Sequence, residues 1–285
     1  MGEYITEPTL NGNKMSDGRS PIDQIAFLSR SESRVRVLEQ LRSNGPMTQR
    51  EFREQLDTSR STVARTLSQL EEHGWLSQTG DTYTLTPTGR LVSEQFLSLV
   101  ESLRMAEELA PFLDWFPYAE YPLDLDCLTD AEITPSTDAD PYAPGRKQTE
   151  FIDEQESIRF FLPSIELEGA RTAHEQIMDG DLSAEFVVSA AVADRIVTGE
   201  FATLFRAEIE TGRMEIYAVD GNLPFYLGLG EDATVQLGVE DGDGFPRALL
   251  EVENESLRMW AEGVYDEHLA RAEFMPRAAF ADSSS

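Results

Sequence analysis

Between Thr48 and Arg90 the residue pattern leaves the chain few ways to fold. Thr48 stands three residues before Glu51, the spacing of a capping box, and Phe52 and Leu56 follow at i and i+4. That helix should fade at Asp57-Thr58. Ser59 can then cap a second helix, whose Val63, Leu67 and Leu70 fall at i, i+4 and i+7 and form one apolar stripe. Gly74 is placed to end it, and Trp75-Leu76 returns the chain to a core. Ser77 to Thr86 reads as a two-stranded hairpin turning at Gly80-Asp81.

The other face of the second helix carries Ser61, Thr62, Arg65 and Gln69. Hydroxyls at a helix start, with one Arg a turn later, suit a helix whose N-terminal end enters a major groove: hydroxyls and backbone N–H groups hold phosphates while Arg reaches a guanine edge. The candidate nucleic-acid contacts are therefore Thr48, Gln49, Ser59, Arg60, Ser61, Thr62, Arg65, Thr66, Gln69 and, on the hairpin, Thr79. The competing reading is a helical core whose polar face is only solvated. Two tandem helices followed by a hairpin resemble the winged helix-turn-helix of archaeal and bacterial transcription regulators, over roughly residues 22–90. Tyr83-Thr-Leu-Thr-Pro-Thr-Gly-Arg90 resembles the end of that wing running into the next helix.

Charge is distributed in keeping with this. The 285 residues carry 53 Asp and Glu against 23 Lys and Arg, a net −30, and only Lys14 and Lys147 are lysine. Such an acidic, lysine-poor composition resembles proteins of halophilic archaea, which work in molar salt where the Debye length is roughly 3 Å. A uniform −30 would argue against a nucleic-acid partner. Yet residues 30–92 hold nine Arg and eight acids, about +1, so the remainder carries −31. No apolar run approaches the ~18–20 residues that span a bilayer, the N-terminus lacks a signal pattern, and the single Cys127 cannot form an internal disulfide. The expectation is a soluble, cytoplasmic protein with no membrane partner.

Residues 1–20 lack periodicity and read as a disordered lead. Residues 21–90 form the winged helix-turn-helix, whose first long helix is broken near Ser29-Arg30-Ser31, and residues 91–116 form a linker helix. In that helix Val92, Phe96, Leu99, Leu103 and Ala106 alternate by 4 and 3, as in a coiled coil, and predict a dimer seam; packing on the same chain is the alternative. The aromatic run Pro111 to Pro117 reads as a packing plug between domains. Residues 117–147 read as a connecting loop, 148–276 as a second domain and 277–285 as a flexible tail. In the second domain strands near 157–163, 184–190, 214–219, 223–229, 234–239 and 247–252 alternate with helices near 166–178, 192–211 and 254–272. The order predicts a partly parallel α/β sheet with an antiparallel section near its end.

Gly180-Asp-Leu-Ser-Ala-Glu-Phe-Val-Val188, Gly212-Arg-Met-Glu-Ile-Tyr217, Asp220-Gly-Asn-Leu-Pro-Phe225 and Trp260-Ala-Glu-Gly-Val-Tyr265 resemble the C-terminal domain of archaeal winged-helix regulators of the methanogenesis-regulator (FilR) type. The resemblance implies a single phospholipase-D-like lobe, as in TrmB-like sensor domains. The His-x-Lys pair of phospholipase-D catalysis is missing, because none of His73, His174 and His268 lies two residues before a Lys. No Gly-x-Ser-x-Gly elbow, Walker loop or metal-ligand spacing occurs either, so no catalytic residue, metal or cofactor is expected. If the domain senses a small molecule, the strand C-termini nominate Ser164, Ser189, Asp220 and Asn222, with Tyr226 nearby; turn and cap roles compete. Three functions follow: a dimeric, effector-responsive regulator binding an inverted-repeat operator, a protein–protein adaptor built on a winged helix, or a phosphodiester hydrolase.

Overall fold

The computed structural model describes residues 20–280, so the lead and most of the tail expected from sequence lie outside the described residues. The chain divides into two compact units between Arg104 and Met105.

In the first unit, α1 (Pro21–Ser29) and α2 (Glu32–Asn44) are separate helices, broken where the sequence places the break. A two-residue strand, β1 (Met47–Thr48), leads into α3 (Gln49–Leu56) and α4 (Arg60–Glu72), and β2 (Leu76–Thr79) and β3 (Thr82–Leu85) make the hairpin. The strands lie in the order β1-β3-β2, all antiparallel. The capping box is formed: Thr48 Oγ1 accepts from the Glu51 N–H while the Glu51 carboxylate accepts from Thr48 N–H at 2.7 Å. Between α3 and α4 the backbone turns through Asp57 at φ 45°, a left-handed conformation that Asp tolerates better than most residues. The end of α4 is a full Schellman motif: Trp75 N–H donates to Leu70 O and Gly74 N–H to Glu71 O, with Gly74 at φ +70°. This delivers Trp75 into a core with Val37, Leu38, Phe52, Val63 and Leu67.

The helix α5 (Pro87–Leu113) contributes to both units. Thr86 caps it, its hydroxyl accepting from Gly89 N–H and donating to Gly74 O. Gly89 is required here, since a Cβ would lie 1.9 Å from the Trp75 carbonyl oxygen.

The second unit is an eight-stranded sheet with helices on both faces. Its strands are β4 (Glu132–Pro135), β5 (Ser157–Leu162), β6 (Ser183–Val188), β7 (Met214–Ala218), β8 (Tyr226–Leu229), β9 (Thr234–Glu240), β10 (Pro246–Glu253) and β11 (Glu273–Phe274). They lie in the order β11-β7-β6-β5-β8-β9-β10-β4. β5, β6 and β7 are parallel and the other pairings antiparallel, as the element order predicts. Side chains alternate across the sheet. Phe161, Val187, Leu227 and Leu237 face the end of α5 and α10 (Glu255–Leu269), while Ile158, Phe160, Phe186 and Ile216 face α6 (Ala143–Asp153), α7 (Leu167–Asp179), α8 (Ala190–Ile196) and α9 (Gly199–Glu210).

Several boundaries differ from the sequence reading. The expected loop 117–147 contains edge strand β4, paired to β10, and the start of α6. A strand four residues long, ending in Pro135, has too little pattern to read, and its edge position tolerates the proline. α6 starts before residue 148, with Pro144 in its first turn. The helix expected over 192–211 is two helices, α8 and α9. Residues 277–280 of the expected tail form a 3₁₀ turn that puts Phe280, fully buried, against Phe205. The aromatic run at the end of α5 belongs to the second unit's own core, where Phe112 and Phe116 pack with Phe225.

Candidate nucleic-acid interface and ligand cavity

The buried stripe of α4 dictates what its outer face can be. With successive residues about 100° apart, burial of Val63, Leu67 and Leu70 leaves Ser61, Ala64, Arg65 and Ser68 on one exposed strip, flanked by Arg60. Ser59 caps the helix, accepting from Thr62 N–H at 3.2 Å. Its hydroxyl also hydrogen-bonds those of Ser61 at 3.0 Å and Thr62 at 2.9 Å, which gathers three hydroxyls at the helix start. Thr79 is exposed at the wing tip.

Two of the nominated contacts are corrected. Thr66 is buried, 3% exposed, because it lies beside Val63 and Leu70 on the inward side of the helix. Gln69 turns toward α2, where its side-chain oxygen accepts from Arg34 Nε (3.3 Å) and Nη2 (3.0 Å). Thr48 is exposed only in part, and its hydroxyl is held in the capping box at 2.8 Å from Glu51. Ala64 and Ser68 were missed by the sequence reading, though the same 100° stepping from Val63 and Leu67 would have found them.

Among the described residues, Arg30, Arg36, Arg42, Arg53, Arg60, Arg65 and Arg90 make no ion pair, and Arg50 pairs only with Glu54 on its own helix. In the second unit, by contrast, Arg146, Lys147, Arg159, Arg171, Arg247, Arg258, Arg271 and Arg277 are all paired with carboxylates. Arg34 stacks on Phe27, 3.8 Å from the ring centre. Burial, and then the charge of Arg65, hold its guanidinium below the usual arginine range. On α4 itself, Arg60 and Arg65 therefore stand exposed with no carboxylate of the described residues in ion-pair reach, in a segment also spared from acidification.

The coiled-coil stripe of α5 divides. Val92 and Phe96 pack into the first unit's own core, Phe96 being 9% exposed, so they are withdrawn from any seam. Leu99 and Leu103 are 49% and 57% exposed, and Ala106 is exposed beside them.

The second unit holds a cavity of about 270 Å³ between the sheet, α6 and α7. β9 runs in the same direction as β5, two strands away, so the C-terminal ends of both open on one edge. Ser164, just past β5, and Glu240, at the end of β9, meet there, and the Ser164 hydroxyl donates to the Glu240 carboxylate. Tyr226 also lines the cavity, with its hydroxyl donating to Gln236 at 3.2 Å. The other three nominated residues do not line it. Ser189 is a buried cap of α8, accepting from Val192 N–H and donating to Pro163 O, while Asp220 and Asn222 sit exposed in a turn. Glu240 was missed because its neighbour in space is set by strand order, which sequence does not display.

Among the described residues the three histidines have other neighbours. His73 stacks on Phe27 at 3.9 Å, His268 packs edge-on against Phe161, and His174 hydrogen-bonds the buried Glu208 at 2.9 Å. Cys127 is half-buried against the core. Burial, with Asp124 and Asp126 beside it, raises its thiol above the usual range, the opposite of a reactive thiolate.

An α4 presented to solvent by a winged helix, followed by a helix and an α/β domain with helices on both faces, defines the class of two-domain winged-helix proteins. Residues 22–108 match the model of the HVO_A0261 N-terminal domain, and residues 141–271 match that of the methanogenesis regulatory protein FilR1, middle domain. The chain thus combines an HVO_A0261-like domain with a FilR1-like middle domain, and the FilR-type resemblance read from its sequence stands. No curated protein matches it. Among solved structures, the archaeal chromatin protein TrmBL2, described as showing a novel mode of DNA binding, is 15% identical over 90% of this chain and 100% of its own, with a TM-score of 0.42. Nuc from Salmonella typhimurium, a phospholipase D family member, is 13% identical over 51% of this chain and 97% of its own, at 0.39. NucT from Helicobacter pylori is 12% identical over 51% and 98%, at 0.40.

Proposed function

We propose that the chain is a sequence-specific DNA-binding transcription regulator that acts as a homodimer and responds to a small molecule through its second unit. The observation that carries this is the exposed strip of α4, where Ser61, Ala64, Arg65 and Ser68 face solvent beside arginines without carboxylate partners. In this reading Arg65 contacts a base edge in the major groove. Arg60 and the hydroxyls at the start of α4 hold phosphates, as helix N-termini do, and Thr79 on the wing lies along the backbone. The match to a domain of a methanogenesis regulatory protein supports the regulator class.

The dimer rests on Leu99, Leu103 and Ala106. An exposed leucine pair at i, i+4 is a face that a second copy would cover, and two recognition helices then meet half-sites about one DNA turn apart. The adaptor reading leaves the unpaired arginines without a role, and the hydrolase reading has no histidine–lysine pair to act through. Selection of bound sequences from random duplex DNA in molar KCl tests the proposal. An inverted repeat should be enriched. Absence of any enriched sequence would contradict DNA reading, and enrichment of a single half-site would contradict the dimer.

A further inference from the structure

The lining of the second unit's cavity distinguishes between kinds of ligand. Its floor is aromatic: Phe160 lies 5.5 Å from the Tyr226 ring, edge-on, and 5.4 Å from Phe186, stacked. Glycine at 228 and at 238 leaves room for the Tyr226 ring, since a Cβ would come within 2.7 Å of the Tyr226 hydroxyl in the first case and 3.0 Å of its Cβ in the second. The wall carries a half-buried carboxylate, Glu240, whose one hydrogen-bond partner among the described residues is the neutral hydroxyl of Ser164. Most acids among the described residues are exposed; Glu240 is turned into a recess. The charged groups that act on it, Asp241 and Glu166, are also acids, and burial with that repulsion pushes its carboxyl above the usual range. Arg195 also lines the cavity, but it is exposed, stands 5.3 Å over the Phe201 ring and makes no ion pair with Glu240.

We propose that this cavity binds a small organic amine, its ammonium group seated on Glu240 and its apolar body on the Phe160, Phe186 and Tyr226 floor. An ammonium supplies the missing countercharge of a half-buried carboxylate, and aromatic faces attract cations. A carboxylate or phosphate ligand would instead meet Glu240 and Glu166 as like charges. At about 270 Å³ the space is at the small end of ligand pockets, so the ligand is a compact molecule rather than a dinucleotide. The inference rests on the effector-sensing reading only for its purpose; the choice of ligand rests on the cavity.

The test is calorimetric titration of the full chain in molar KCl with 2-phenylethylamine, 2-phenylethanol and phenylacetate, which share a benzyl group. The amine should bind saturably, and at least tenfold more tightly than the alcohol or the acid. Glu240→Gln, checked for folding by its melting curve, should lose that preference. Equal binding of amine and alcohol, or tighter binding of phenylacetate, overturns the proposal on wild-type protein alone, whatever the fate of the variant. Repeating the three titrations with operator affinity as the readout separates this inference from effector sensing. An amine that binds without changing operator affinity keeps the ligand class and removes the sensing role. An alcohol or acid that binds and changes it does the reverse. No binding of any of the three overturns the amine inference and leaves effector sensing by a ligand of another chemistry untouched.

Discussion

Arg65, Thr66 and Gln69 lie within a turn and a half of one helix, yet the fold sends each to a different place. Arg65 goes to solvent, Thr66 to the core and Gln69 to a clasp on Arg34. Polar residue types alone did not reveal this; the phase of the buried stripe did. Two other side-chain positions carry measurable consequences. Gly89 packs where a Cβ would strike the backbone oxygen of Trp75, a neighbour that cannot rotate away. Gly89→Ala should therefore destabilise the first unit by about 1–3 kcal/mol, the usual cost of overpacking, seen as a lowered melting transition; an unchanged melt would contradict the close approach. Glu208 is 1% exposed beside His174, and burial pushes its carboxyl up to about 8. In the folded chain it keeps its proton to near pH 8, whereas in the unfolded chain it releases it around pH 4.5. Its contribution to stability is complete below the lower value and is lost as pH rises through the upper one. Between pH 5 and 9, wild type should lose stability relative to Glu208→Gln, read from denaturant melts at each pH. Parallel curves for the two proteins would show that Glu208 titrates normally.

Helices and strands with a clear period were legible from sequence, and so were those ends that carry a cap or turn residue. The capping box at Thr48, the cap at Ser59, the turn at Gly80 and the halt at Gly74 each have a local cause that a few neighbouring residues display. β4, β11 and the 3₁₀ turn ending at Phe280 have none: they are two to four residues long, and they exist because β10, β7 and α9 offer edges or hollows to cover. The cavity was half legible for the same reason. Ser164 follows from the rule of strand C-termini, but Glu240 reaches it only through the order β5-β8-β9. At α5 the 4-3 spacing marks one continuous stripe, while the structure spends its first part, Val92 and Phe96, on the first unit's core. The remaining part gives a prediction at this scale. The double variant Leu99→Glu, Leu103→Glu should leave the melting transition of the first unit in place and convert a dimer to a monomer in light scattering. A variant that stays dimeric would move the interface elsewhere.

Across the whole chain, charge separates the two units more sharply than any motif does. Among the described residues the second unit pairs most of its cations with carboxylates, while in the first unit Arg30, Arg36, Arg42, Arg53, Arg60, Arg65 and Arg90 make no ion pair, in a protein of net charge −30. In molar salt the long-range attraction between such a patch and DNA is screened to a few ångströms. Recognition must then come from direct contacts, which puts the weight on the exposed strip of α4. In the proposed reading Arg65 is the cation of that strip that reaches a base edge, and Thr66 is its inward neighbour. The most direct measurement is the affinity of wild type, Arg65→Ala and Thr66→Val for the enriched operator, and for operators changed at one base pair of each half-site. Arg65→Ala should weaken binding roughly 10- to 100-fold and become indifferent to one particular base pair, while Thr66→Val binds as wild type does. Full affinity and full base discrimination in Arg65→Ala would contradict the assignment of α4 as the element that reads DNA.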